Sequence, residues 1–173
     1  MKRTKVTSVE IPLNSEILNK QALASYVDAY QITIDYKERS ALQLWIAHII
    51  DTPQWINILM STRNKMVSLV GLKNLGALGA IDHEKPIGEY CVGDRMGVFT
   101  LSFISETEVM LTIVDKHLDV HISLHKNNQV NGGVGAITIS CVVEVHNNLG
   151  KSYMFFIKPL HRFIVPHRLA RLS

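Results

Sequence analysis

Carboxylates and histidines alternate with apolar residues in one short run, DKHLDVHISLH at 115–125. If this run is a β-strand, its side chains alternate between two faces. One face is apolar, and the other carries Asp115, His117, Asp119, His121 and His125. Carboxylates and imidazoles at this spacing can hold a metal ion or exchange protons with a substrate. An antiparallel strand more often leaves its polar face in water, and we favour that interpretation, so no metal site and no cofactor are predicted.

A second candidate is the pair His161 and Arg162, which follows Pro159. A proline inside a helix leaves a carbonyl without its partner, so we expect a kink near Phe155 and a second break at Pro166. His161 could give or take a proton near neutral pH, and Arg162 could bind a carboxylate or phosphate. The simpler alternative, which we favour, is that His161 caps a carbonyl and Arg162 points to water.

Aromatic and basic side chains elsewhere could line a pocket. Arg63 lies in an apolar helical context, where a buried arginine needs a carboxylate such as Asp115 or Asp119. An ion pair that braces helix against sheet is the favoured role for Arg63, and the aromatic residues are more often plain core. The predicted ligand-binding residues are Tyr153, Phe156, Leu160, His161, Arg162, Arg63 and Trp55. The catalytic candidates are His161, His117, Asp115 and Asp119.

Hydrophobic periodicity and helix-capping residues predict the helices and strands that carry these side chains. Ser40 and Gln43 form a capping box that opens a helix pair over 40–70, with a tight joint near Asp51 and a second N-cap at Thr52-Pro53. Helical periodicity returns from Leu149. Alternating or apolar runs predict strands at 29–36, 87–92, 98–104, 109–114, 118–124 and 134–145. We therefore predict one α+β domain over 1–173, with 1–27 as an N-terminal arm. Its antiparallel sheet of about six strands would wrap a long C-terminal helix, the helix-grip arrangement.

Composition narrows the function classes. The chain has 173 residues and a formal charge of +3, and its basic residues are scattered, which argues against a nucleic-acid binder. Its two cysteines lack a Cys-x-x-Cys spacing, which predicts reduced thiols. Because no apolar run approaches the ~20 residues of a membrane span and no signal peptide is recognised, we expect a cytoplasmic protein.

Four stretches carry a resemblance to a known family: DAY at 28–30, PQWINILMSTRNKMVSLVGLK at 53–73, DKHLD at 115–119 and HNNLGKSYMFFIKPLHRFIV at 146–165. They resemble the bacterial domain-of-unknown-function family 2867, although the chain departs from that pattern at His121, His125 and Pro166. The resemblance implies no established activity. It implies an architecture similar to the START/Bet v 1-like (SRPBCC) helix-grip superfamily, whose members often hold apolar small molecules between sheet and helix.

The leading functional hypothesis is therefore a module that holds an apolar small molecule between the sheet and the C-terminal helix. A cyclase-, isomerase- or hydrolase-like enzyme in the same cavity is the first alternative, with His161 acting beside Asp115, His117 or Asp119. A protein-interaction domain is the second, in which the outer histidines of the sheet pair two copies into a homodimer. Whether the protein is an enzyme stays open, and so does the buried face of 115–125.

Overall fold

The computed structural model describes residues 5–35, 38–50, 53–58, 61, 85–129 and 134–172. These residues form seven strands: β1 (Thr7–Ser8), β2 (Tyr26–Asp35), β3 (Arg95–Met96), β4 (Phe99–Ile104), β5 (Glu108–Val114), β6 (Leu118–Gln129) and β7 (Val134–Val145). The helices α1 (Ala41–Ile50) and α2 (Asn148–Leu169) join them. Shorter 3-10 helices span Glu16–Leu23, Ile87–Glu89 and Ala170–Leu172.

The strands form one sheet in the order β1-β2-β7-β6-β5-β4-β3, and every neighbouring pair is antiparallel. This confirms the predicted α+β class with an antiparallel sheet and a C-terminal helix. The predicted strand at 87–92 is wrong, because Ile87–Glu89 form a 3-10 turn and Gly93 has a φ of 103°. Residues 95–96 pair with β4 instead. The predicted strand at 118–124 continues to Gln129, because the polar residues after it still pair with β7.

Helix α1 begins as the capping box predicts. The Ser40 backbone N–H donates to Gln43 Oε1 at 2.7 Å, and the Gln43 N–H donates to Ser40 Oγ at 3.2 Å. Residues 54–58 are also helical. The remainder of the predicted helix pair, including Arg63 and the joint near Asp51, lies outside the described residues.

The sheet has two faces with different cover. On the core face, Ile32, Ile139 and Leu124 pack with α1 and with Leu169 of α2. On the opposite face, which we call the outer face, the Glu16–Leu23 helix packs through Ile17 onto a smaller cluster with Ala29. Period-two alternation along β5, β6 and β7 supplies side chains to both faces.

The outer face of β6 is buried at His121, Ser123 and His125 and half-buried at Asp119, which corrects the interpretation of 115–125 as a solvated polar face. His121 is 6% exposed and His125 is 2% exposed. The cover comes from the segment before β2, where the Ser15 hydroxyl donates to Glu108 Oε1 at 2.6 Å. Ser123 donates to the same carboxylate oxygen at 2.5 Å. His121 and His125 are therefore not at the surface, and the homodimer stays a prediction.

Helix α2 runs without interruption through both of its prolines to Leu169, so the predicted break at Pro166 is wrong. Its N-cap is Asn147, whose Oδ1 accepts from the Gly150 N–H at 3.1 Å. Pro159 lies on the exposed side, where water can hydrogen-bond the carbonyl that the ring leaves unpaired. The far end is anchored by Arg168, which is 5% exposed and whose guanidinium donates to the His48 carbonyl.

Candidate functional site

A cleft of about 1040 Å³ lies on the outer face of the sheet. One wall is the Glu16–Leu23 helix, the floor is β4, β5 and β6, and the far wall is the segment around β3. Its side chains include Leu23, Val92, Phe103, Met110, Thr112, Val114, Asp119, His121 and Glu144. Small-molecule sites in proteins commonly have volumes of roughly 300–1,000 Å³, so the cleft is large enough for one.

A chain of hydrogen bonds on the cleft floor settles the orientation of His121. Ser102 Oγ donates to the Met110 carbonyl at 3.0 Å, so it can only accept from Thr112 Oγ1, at 2.9 Å. The Thr112 proton is thereby used, and its oxygen accepts from His121 Nδ1 at 3.1 Å. Neutral His121 therefore carries its proton on Nδ1 and presents an unprotonated Nε2, which is 3.8 Å from Glu144 Oε1.

Burial keeps His121 neutral near pH 7. Burial lowers the pKa of His121 and Lys20 adds to this, while Glu144 and Asp119 oppose it. Asp119 is itself engaged, since Oδ1 is 3.3 Å from His146 Nε2 and accepts from the Asp115 N–H at 3.1 Å. The result is two adjacent acceptors, His121 Nε2 and the Glu144 carboxylate, at one end of the cleft.

The rim of the cleft is apolar. Leu23 is 75% exposed, Val92 is 61% exposed and Val114 is 68% exposed, and all three line the cleft. Exposed large apolar side chains that surround a concave surface with a few convergent polar groups are typical of binding sites.

A second polar cluster lies on the core face, beneath α2. Asp28 on β2 is directly opposite Cys141 on β7, and His161 of α2 lies over them. Asp28 Oδ2 is 3.0 Å from His161 Nδ1 and accepts from the Tyr26 hydroxyl at 2.6 Å. Burial and the neighbouring Asp28 both raise the pKa of Tyr26.

His161 is charged in this cluster at neutral pH. Burial lowers the pKa of His161, but Cys141 and Asp28 together raise it more, to about 10. The imidazolium side chain is 23% exposed and the Asp28 side chain is 9% exposed, so the ion pair lies largely out of water. The ion pair between His161 and Asp28 can hold α2 against β2 and β7.

The predicted catalytic residues do not converge on one point. His161 pairs with Asp28 on the core face, whereas Asp119 pairs with His146 and lines the cleft on the outer face. His117 and Asp115 precede β6 rather than lying within it, and His117 Nδ1 contacts Asn147 Oδ1 at 3.2 Å. Of the four candidates, His161 alone has a carboxylate partner beneath α2, and that partner is Asp28.

Those of the predicted ligand-binding residues that the structure describes lie along and beside α2, while Arg63 lies outside the described residues. Tyr153 is half-buried and packs against the cluster that contains Tyr26. Phe156 is 69% exposed and Leu160 is 43% exposed, so these two do not face the sheet. Trp55 lies beside His167, with 6.4 Å between ring centroids. Arg162 is exposed, with its guanidinium 6.0 Å from the centroid of the Tyr26 ring. Their contact with a ligand stays a prediction.

Sequence reasoning missed Asp28, Cys141, Thr112 and Glu144. A signal was present for Asp28, because β2 begins at Tyr26 rather than at Ala29. With the strand extended by three residues, period-two alternation places Asp28 on the same face as Tyr30 and Ile32, where an unpaired carboxylate would be costly. Such a residue indicates a buried partner, although its identity is not readable from the strand.

The sequence profile of a family described as "Protein of unknown function (DUF2867)" matches residues 21–168. The chain belongs to this family. The resemblance noted from its longer stretches is thereby confirmed, while the relation to the helix-grip superfamily stays a prediction. No curated protein and no solved structure matches the chain significantly. The DUF2867 description assigns no activity. Within the described residues, no helix is long and apolar enough to cross a membrane.

Proposed function

We propose that this DUF2867 chain is a binding domain for a small amphipathic molecule, and that the molecule occupies the cleft on the outer face. The observation that carries the proposal is the pairing of an exposed apolar rim with a buried polar end. Leu23, Val92 and Val114 would cover the apolar body of the ligand. His121 and Glu144 would meet its polar group.

The hydrogen bonds of the floor define the polar group. His121 Nε2 is an acceptor because Nδ1 donates to Thr112, and the Glu144 carboxylate is an acceptor as well. A ligand hydroxyl or amine would donate to them, whereas an ether or ketone oxygen would meet only acceptors. We therefore propose an apolar molecule with a hydroxyl or amino group at one end.

The site expected between the sheet and α2 is the second candidate location. Two observations favour it: the polar groups of Tyr26, Asp28 and His161 beneath the helix, and the half-buried Tyr153, which packs beside them. The order of the strands and the long C-terminal helix fit the helix-grip arrangement that we expected. Ligand turnover is the alternative to simple binding, since neutral His121 could accept a proton from a bound molecule.

The first experiment is a titration of the full chain with N-phenyl-1-naphthylamine, a neutral apolar fluorophore whose amine N–H can donate a hydrogen bond, together with native mass spectrometry for co-purified molecules. Leu23→Glu places a charge on the cleft rim and should weaken dye binding at least tenfold, about 1.4 kcal/mol. Leu13→Glu is the matched control, because Leu13 is 90% exposed and is not part of the cleft lining. It should leave dye binding unchanged.

A third variant separates the two locations. Tyr153→Glu should not affect the dye if the cleft is the site, and should abolish binding if the dye lies between the sheet and α2, because Tyr153 packs on the sheet side of the helix. Equal binding by the wild type and Leu23→Glu would refute the cleft. For a co-purified molecule, His121→Phe should cause its loss, because phenylalanine keeps the ring volume and removes the acceptor.

A further inference from the structure

The core-face cluster brings three metal-binding atom types together from three different elements. Asp28 and Cys141 are cross-strand partners on β2 and β7, and His161 reaches them from α2. One carboxylate oxygen, the sulfur and one imidazole nitrogen all lie within 4.8 Å of one another. Asp28 Oδ2 and His161 Nδ1 are 3.0 Å apart.

Thiolate, imidazole and carboxylate are the three side-chain ligands that Zn²⁺ uses in proteins. With metal–ligand distances of roughly 2.0–2.3 Å, tetrahedral ligands are separated by about 3.3–3.8 Å. One separation in the cluster is 3.0 Å and the others are no more than 4.8 Å, so side-chain rotations that move these atoms by about 1 Å would give the tetrahedral spacing. We infer that Asp28, Cys141 and His161 form a binding site for one Zn²⁺-like transition-metal ion, a site that the sequence did not predict.

The surroundings of the cluster support this assignment. The Tyr26 hydroxyl donates to Asp28 Oδ2 at 2.6 Å and so fixes the carboxylate, as outer hydrogen bonds do at known metal sites. Cys141 is 2% exposed, whereas the His161 side chain is 23% exposed. An ion and its fourth ligand would therefore arrive from the His161 side. Three protein ligands with one open position are characteristic of zinc sites that bind a further small ligand.

The charges also balance. With the metal bound, the carboxylate and the thiolate together carry two negative charges, which equal the charge of Zn²⁺. Lys158 and Arg162 approach the Tyr26 ring, at 5.3 Å and 6.0 Å from its centroid, but both side chains are exposed and their charges are screened. A catalytic-nucleophile role for Cys141 fits less well, because a substrate could not reach a sulfur buried in the middle of β7.

The test uses the full chain, stripped of metal by a chelator and then titrated with Co²⁺ and with Zn²⁺. Co²⁺ bound to a thiolate gives a sulfur-to-metal charge-transfer absorbance, which reports directly on Cys141. The chain carries a matched control in Cys91, which is exposed. Cys141→Ser should abolish the charge-transfer band and weaken Zn²⁺ binding at least 100-fold, while Cys91→Ser should change neither.

Two further variants test the remaining geometry. Asp28→Asn should weaken Zn²⁺ binding, and Tyr26→Phe should do so by about 10- to 100-fold through the carboxylate it orients. Circular dichroism of each metal-free variant establishes that it is folded. Stoichiometric binding with a thiolate band that depends on Cys141 would support the site. Absence of binding, binding by surface histidines that survives Cys141→Ser, or a band that depends on Cys91 would overturn it.

Discussion

Asp28→Asn should make the metal-free protein markedly less stable at neutral pH, because it leaves the His161 imidazolium beneath α2 without its carboxylate. The wild-type pair is close, with 3.0 Å between His161 Nδ1 and Asp28 Oδ2. When one partner of a largely buried ion pair is removed, the other charge stays unpaired in a poorly solvated environment, which costs stability. Asparagine has nearly the shape of aspartate, so packing changes little and the measurement isolates the charge.

The magnitude follows from the pKa of His161. Its rise from 6.5 to about 10 corresponds to roughly 5 kcal/mol of differential stabilisation at about 1.4 kcal/mol per pH unit. Because 23% of the side chain is exposed, solvent screening lowers the expected figure to about 3 kcal/mol. Cys141 raises the pKa of His161 more than any other group and Asp28 adds to it, so Asp28→Asn should remove only part of this amount, about 1–2 kcal/mol.

The sign of the pH dependence is fixed by the direction of the shift. The pKa of His161 is higher in the folded protein than the unfolded value of 6.5, so the stabilisation is fully present below pH 6.5. It is lost as the pH rises from 6.5 through about 10. The wild type should therefore lose stability across this interval, and Asp28→Asn should have a flatter profile.

Urea unfolding followed by tryptophan fluorescence, with EDTA present, gives the free energy of unfolding at each pH. The buried Trp45 makes this signal sensitive to unfolding of the core. His146→Gln is the control, because the His146 side chain is 39% exposed in its pair with Asp119, and an exposed pair contributes less than about 1 kcal/mol. A wild-type profile as flat as that of Asp28→Asn, or equal stability at pH 7, would refute the reasoning.

Three further predictions use the same unfolding assay. Gly150→Ala should cost about 2 kcal/mol or more, because the added Cβ would overlap the backbone carbonyl oxygen of His117. Gly88→Ala, with nothing within 4 Å of its Cβ, should stay within about 0.5 kcal/mol of the wild type. Burial and, secondarily, Arg168 lower the pKa of His48 to about 3. The unfolded state therefore binds a proton at His48 that the folded state does not bind, and the free energy of unfolding should fall by about 3 kcal/mol between pH 6.5 and pH 4. His48→Gln should make the free energy of unfolding less dependent on pH in this interval. Glu108→Gln should cost about 1–3 kcal/mol, because an amide cannot accept all the hydrogen bonds that the carboxylate receives. Unchanged stability of that variant would mean that the buried network is not needed.

Local signals were sufficient for several elements. The Ser40–Gln43 capping box located the start of α1, because the two residues satisfy each other's backbone N–H groups without help from the rest of the fold. The runs at 98–104, 109–114 and 134–145 were correctly predicted as strands, since β-branched and apolar residues there sit between turn residues. The antiparallel class followed from their short connections.

The tertiary structure determines which side chains of these helices and strands are buried and which distant residues they contact. The sequence determined that the polar residues of 118–125 alternate with apolar ones, but it could not say that the segment before β2 folds back and buries them. Likewise, helical periodicity predicted a C-terminal helix, while its continuation through Pro166 depends on the docking of Arg168 and Leu169 against the core. Asp28, Cys141 and His161 are separated by long stretches of chain, and only the β2–β7 register and the docking of α2 bring them together. Period and capping are properties of a few neighbouring residues, whereas burial and pairing depend on which distant segments the fold places against them.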